Sequence, residues 1–134
     1  MPNICIIGLG NPGAQYNGTR HNIGKDWVKS IATDSNLELQ SKKKIEASIA
    51  ESPDNKILWG YPDKYVNESG RSINKIVKHK KFNLEQILII HDDLDLPLGN
   101  LKLKIGGGHG GHNGLRSIIA HLGQSFIRLR VGIG

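Results

Sequence analysis

One histidine, one aspartate and three asparagines are the residues of this chain best suited to chemistry on a polar substrate. Asn11, Asn67, Asp92 and Asn113 each follow an apolar run that reads as a strand, and His21 comes soon after the first of them. An imidazole titrates near neutrality and takes a proton from water when a carboxylate fixes its orientation, so His21 with Asp92 reads as a base and its partner. Side-chain amides donate and accept hydrogen bonds without charge, which suits a peptide main chain and a developing oxyanion. No serine or cysteine stands in a nucleophile elbow, which leaves activated water as the nucleophile. Taken singly, each residue has a plainer role: His21 as a helix-start residue, Asn67 and Asn113 as helix N-caps.

Two glycine motifs offer other chemistry. Gly8-Leu9-Gly10-Asn11-Pro12-Gly13 satisfies the dinucleotide pattern after a strand. That pattern needs a helix to open at the glycines, however, and Pro12 with its turn-forming neighbours postpones the helix. Glycines 106, 107, 108, 110 and 111 surround His109 and lead into His112 and Asn113. Such a loop could hold phosphate through its backbone amides, and five glycines are costly to order for a purely structural turn. His109 and His112, with Asp92 or Asp93, are also spaced like metal ligands, although a glycine stretch does not preorganise such a set.

The elements that must position these residues follow from hydrophobic periodicity. Ile4 to Gly8 predicts a buried strand, and Ile23, Trp27, Val28 and Ile31 predict a helix from about Asn22 to Thr33. Ile45 to Glu51 and Lys56 to Gly60 read as a strand pair around a turn at residues 52–55. A helix opens near Asn67 with Ile73, Ile76 and Val77 on its buried face, and Gln86 to His91 should be the central strand. Leu101 to Ile105 alternates leucine and lysine, the mark of a strand with one face in water. A helix from Asn113 to Leu122 and a strand from Phe126 to Ile133 complete the chain. Interleaved strands and helices argue for an α/β fold: a single-domain α/β/α sandwich, residues 1–134, with a mixed, mostly parallel twisted sheet. In such sheets ligands bind beyond the carboxyl ends of strands, where residues distant in sequence can meet.

Bulk composition bounds the rest. At 134 residues and 37% apolar content the chain supports one core. A net charge of +6 would favour encounter with polyanions, of which nucleic acid is the commonest in the cytosol. Three lysines at 42–44, and a second group at 75, 78, 80 and 81, could equally be solvated faces. The single cysteine, Cys5, sits in an apolar run and reads as a small core residue. With no secretory signal and no apolar run near 18 residues, the chain reads as cytosolic and not membrane-spanning.

Read together, Gly8 to Gly13 with Tyr16 and Thr19-Arg20-His21-Asn22, Tyr65-Val66-Asn67-Glu68-Ser69-Gly70, His91-Asp92-Asp93-Leu94-Asp95-Leu96-Pro97, Gly106 through Leu115 and the closing Arg128-Leu129-Arg130-Val131-Gly132-Ile133-Gly134 resemble the bacterial-type peptidyl-tRNA hydrolases. The motifs occur in family order across nearly the whole chain. The resemblance implies hydrolysis of the ester between a stranded peptide and the 3′ ribose of tRNA, with tRNA as partner, no metal and no organic cofactor, in a cytoplasmic monomer. It implies that His21 activates water, that Asp92 stabilises its proton-accepting form and that Asn11 helps to distinguish peptidyl-tRNA from free aminoacyl-tRNA. Tyr16, Tyr65, Asn67 and Asn113 would contact substrate. Lys102, Lys104 and Arg130 are candidates for phosphate contacts, which hold an RNA backbone with little sequence preference.

Two departures bear on that expectation. The family usually has Phe-Met where this chain has Tyr65-Val66, which keeps a ring, adds a hydroxyl and trims an apolar wall. Family members also continue for several tens of residues beyond the position of Gly134, into a lid helix and a basic helix, so the C-terminal part of the family domain is expected to be missing. The alternatives are a non-catalytic RNA-binding relative like a chloroplast intron-splicing factor of this fold, a metal-dependent hydrolase built on His109, His112 and Asp92, and an inactive fragment.

Overall fold

The computed structural model describes residues 2–16 and 18–134. Its centre is β1 (Ile4–Gly8), followed by α1 (Ile23–Asp34), β2 (Gln40–Lys42), β3 (Ala47–Glu51) and β4 (Ile57–Pro62). Then come α2 (Ser69–Lys80), β5 (Ile87–Asp93), β6 (Leu101–Ile105), α3 (Asn113–Leu122) and β7 (Ile127–Gly132). The strands form one sheet in the order β2-β3-β4-β1-β5-β7-β6. β1 runs parallel to β4 and β5, and β5 parallel to β7. The outer pairings, β2 with β3, β3 with β4 and β6 with β7, are antiparallel. The sheet is therefore mixed, with parallel and antiparallel pairings three each and the parallel ones at its centre.

Strand residues alternate between faces, and here both faces are covered, which is why the β1 and β5 runs read as continuously apolar. Cys5 and Ile7 of β1, with Ile87 and Ile89 of β5, pack under Ile73 and Ile76 of α2 and Leu115 and Ile118 of α3. Ile90 and Val131 face the other way, against Val28 of α1. One helix on one side and two on the other make the expected α/β/α sandwich. Cys5 is fully buried, and burial pushes its thiol up to about 12, so it is an inert core group.

Several boundaries differ from the sequence reading. β2 was not anticipated, because Gln40, Ser41 and Lys42 are all exposed and carry no apolar pattern; the ladder to β3 alone defines it. Ile45 belongs to a 3-10 turn, and the strand starts at Ala47, after Glu46 has turned the chain with a left-handed φ of 53°. β5 is an interior strand, but the middle of the sheet is β1. β6 has both faces exposed, since neither its leucines nor its lysines are covered on the edge of the sheet. Asn67 lies in a 3-10 turn before α2, whose first residue is Ser69.

Candidate active site

The parallel strands β1, β4, β5 and β7 end on the same side, and the segments leaving them surround an open cleft of about 1050 Å³. Asn11 follows β1, Tyr65 to Glu68 follow β4, His91 to Asp93 close β5, and Arg128 and Arg130 come from β7. This is the crevice beyond the carboxyl ends of strands where open α/β sheets take ligands.

Close packing of α1 brings His21 to the end of β5. A Cβ on Gly8 would collide with the carbonyl of Gly24, and one on Gly24 with the carbonyl of Ile90, so only glycines allow this approach of helix start to sheet. Gly8 of the first motif thus serves helix–strand contact. No helix opens at that motif, since α1 begins only at Ile23. His21 sits in the 3-10 turn Arg20–Asn22 directly before α1 and above Asp92. Its Nδ1 lies 2.8 Å from Asp92 Oδ2.

The other carboxylate oxygen, Oδ1, is 2.7 Å from Nε2 of His112. The proton on that ring is fixed by its far side. His112 is the N-cap of α3, and its Nδ1 accepts the backbone N–H groups of Gly114 at 3.0 Å and Leu115 at 3.3 Å. An acceptor at Nδ1 puts the proton of the neutral ring on Nε2, which then donates to Asp92. With one donor on Oδ1, Asp92 offers Oδ2 to the Nδ1–H of His21, and the Nε2 of His21 is left with a lone pair. The His21 side chain is 68% exposed, against 10% for Asp92, so the imidazole meets solvent while its anchor does not. Burial pushes the Asp92 carboxyl up, but the hydrogen bonds from His112 and His21 outweigh it and hold the group below the usual carboxylate range. His91, behind this pair, is buried edge-on to the His112 ring at 5.2 Å and donates from Nδ1 to the Asp92 carbonyl at 2.8 Å. Burial drives its imidazole down to about 4, so it remains neutral.

Asn11 is equally constrained. Its Oδ1 accepts the N–H of Val66 at 2.8 Å, tying the loop after β1 to the turn after β4. With the oxygen occupied, its amide nitrogen is the end available to a ligand, as a donor. Tyr65, Asn67 and Asn113 line the cleft with it. Tyr16 does not line it and instead meets the Tyr65 ring edge-on at 6.4 Å. Lys104 and Arg130 line the opposite flank. Lys102 pairs across the ladder with Arg130 but lies outside the cleft. Arg130 is anchored by Nε to Asp93 at 2.7 Å, and the Asp93 carboxyl, pushed up by burial, is held low overall by that arginine.

Three features escaped the sequence reading. His112, weighed as a metal ligand, has both ring nitrogens engaged and caps α3 itself; Asn113 is the first residue of the helix, not its cap. No group of three or more potential ligands suited to a metal occurs among the described residues. Asn22, read only as a helix start, is fully buried against Asn11. Arg128, almost wholly buried, donates to the carbonyls of Gly107 and Gly108 and so ties the glycine loop to β7. That loop uses left-handed φ at Gly106, Gly107, Gly110 and Gly111, a requirement of its path that glycine meets.

The geometry is that of an exposed imidazole anchored to a buried carboxylate at the mouth of a polar cleft, and comparison with known proteins gives it a family. The family model described as peptidyl-tRNA hydrolase matches residues 5–134. The chain belongs to the peptidyl-tRNA hydrolase family. It is 46% identical to the peptidyl-tRNA hydrolase of Francisella tularensis subsp. tularensis over 138 residues, covering all of this chain and 72% of that protein. Against the Rickettsia bellii enzyme it is 47% identical over 133 residues, 98% of this chain and 72% of the relative. The crystal structure of the Acinetobacter baumannii peptidyl-tRNA hydrolase superposes with a TM-score of 0.93 at 43% identity, covering the whole chain and 70% of that structure. No helix among the described residues is long and apolar enough to cross a membrane.

Proposed function

We propose that this chain hydrolyses the ester bond of peptidyl-tRNA, with His21 as general base. The observation that carries the reading is the hydrogen-bonded series His112–Asp92–His21, which leaves one imidazole lone pair at the mouth of the cleft. His21 Nε2 takes a proton from water as the water oxygen attacks the ester carbonyl carbon. Asp92 stabilises the imidazolium so formed, and its bond to His112 keeps it an acceptor. As the tetrahedral intermediate collapses, the carbon–oxygen bond to the 3′ ribose breaks and the imidazolium returns the proton to the departing ribose oxygen. The products are a peptide acid and a tRNA with a free hydroxyl. Asn67 and Asn113 line the same space, and side-chain amides there suit the developing oxyanion or the peptide chain.

Asn11, with only its NH2 end free, suits an acyl oxygen, the group that a blocked amino terminus has and a free ammonium lacks. Tyr65 would supply an aromatic wall, with Tyr16 behind it. Lys104 and Arg130 would meet phosphates of the tRNA, and Lys102 would add to the local positive field from outside the cleft. No cofactor enters this scheme. A cytoplasmic monomer acting in translation is the setting that fits it. The test is release of an N-acetyl-aminoacyl group from tRNA by the purified chain, with unblocked aminoacyl-tRNA and His21→Ala as controls. Selective release that disappears with His21→Ala is expected; tRNA binding without release would make the chain a binding protein instead.

A further inference from the structure

Asn22, the last residue of the turn before α1, and Lys25, in the first turn of α1, both send their polar ends to the backbone of Asn11. Asn22 is fully buried, and its amide spans the Asn11 main chain on both sides: Oδ1 accepts the Asn11 N–H at 2.7 Å and Nδ2 donates to the Asn11 carbonyl at 3.1 Å. Three residues on, Lys25 is 6% exposed, and its ammonium donates to the same carbonyl at 3.3 Å while lying 4.7 Å over the Tyr61 ring. A buried ammonium is costly unless it is held by acceptors and aromatic faces, and here its hydrogen-bond acceptor is the Asn11 carbonyl. Gly10 leaves the room: a Cβ there would press on both the Asn22 side chain and the Lys25 Cβ. Neither residue faces the cleft, yet Asn22 directly follows His21, so one helical turn fixes the base and the recognition amide together.

We propose that Asn22 and Lys25 are positioning residues that clamp the Asn11 backbone, and thereby aim its amide donor into the cleft and set the preference for N-blocked substrate. The clamp works through Asn11: with the backbone held, the Asn11 Oδ1 bond to Val66 N–H can form, and that bond turns the NH2 outward. The proposal rests on the assignment of Asn11 to substrate recognition, and its test separates the two.

Lys25→Met keeps the alkyl stem against Tyr61 and removes the ammonium; Lys25→Arg restores a cation; Asn22→Ala removes the two-sided amide. Hydrogen exchange at the Val66 amide reads the clamp without any substrate, and kcat/KM for N-acetyl-aminoacyl-tRNA relative to free aminoacyl-tRNA reads its consequence. In Lys25→Met, Val66 exchange should quicken and the blocked-to-free preference should fall, each about tenfold, the scale of one charge-assisted hydrogen bond. Lys25→Arg should recover most of both. A purely structural role would lower the melting temperature and leave the preference unmoved, which overturns the proposal, as does unchanged Val66 exchange in folded Lys25→Met. If Asn22→Ala does not fold, Lys25→Met decides alone. If the parent chain releases no peptide, the hydrolase reading fails while Val66 exchange still judges the clamp.

Discussion

Asp92 has two histidine neighbours, and hydrogen-bond polarity distinguishes them. His112 is committed by the backbone amides it accepts at the start of α3, so its ring cannot offer a lone pair to the cleft. His21 has one nitrogen on Asp92 and the other toward solvent. Asp92→Asn therefore does more than remove a charge. His112 Nε2–H still needs an acceptor, so the new amide oxygen goes to His112 and its NH2 to His21, which moves the His21 proton to Nε2. The expected result is a fall in kcat on the order of 10²–10⁴ with tRNA affinity retained. Nitrogen-15 imidazole shifts showing an Nε2–H tautomer in the variant would confirm the cause, and an unaltered tautomer would refute it. The sequence made His21, Asp92 and the asparagines legible because their residue types announce donors, acceptors and a titrating ring. His112 was not legible: histidine is not among the favoured N-caps, and its spacing from His109 suggested metal. His91 makes a separate prediction. Its folded value near 4 lies below the ordinary 6.5, so between those values the unfolded chain binds more protons than the folded one. Stability should be full above about pH 6.5 and decline toward pH 4, by roughly 3 kcal/mol over the interval. Urea titrations across that range should show the decline, and His91→Phe should flatten it.

At the scale of elements, the site depends on how closely α1 approaches β1 and β5. Gly8 and Gly24 set that distance, and the turn carrying His21 stands on it. Gly24→Ala places a methyl against the Ile90 carbonyl inside a buried contact where backbone, not a flexible side chain, must yield. A loss of about 1–3 kcal/mol is expected, together with a drop in kcat that exceeds any change in KM, because the displaced turn carries His21 away from Asp92. Chemical denaturation and steady-state kinetics on the same preparation would check both; lost stability with unchanged kcat would show that the turn adapts. The sequence displayed Gly8 within a nucleotide motif, since a pattern of glycines does not reveal whether its missing side chains make room for a ligand or for a helix. Periodicity located the helices well, because their apolar stripes face one sheet: Ile73 and Ile76 on α2, Val28 on α1. It failed at β2 and at the 3-10 turn Lys43–Ile45, where pairing and a left-handed Glu46, neither with an apolar signature, determine the path.

The whole molecule places two kinds of side chain, neutral and cationic, on opposite flanks of the cleft. Amides and the Tyr65 ring stand on the β1 and β4 side, while Lys104 and Arg130 stand on the β5, β6 and β7 side. This separation follows from strand order, which sequence does not reveal, and under the proposed function it divides binding from selection. The positive flank should govern affinity for any tRNA through release of counterions, without reading the peptide. Removing Lys104 should weaken binding of uncharged tRNA and make its logarithmic salt dependence shallower by about 0.7–0.9 of a unit, the value of one phosphate contact. Lys102→Ala, on the same strand face but outside the cleft, should change that slope much less. Fluorescence titrations of both variants over a range of potassium chloride concentrations would show the contrast. Equal slopes for the two would mean that the flank acts only as a diffuse field, because a field depends on net charge and a contact depends on which lysine is lost.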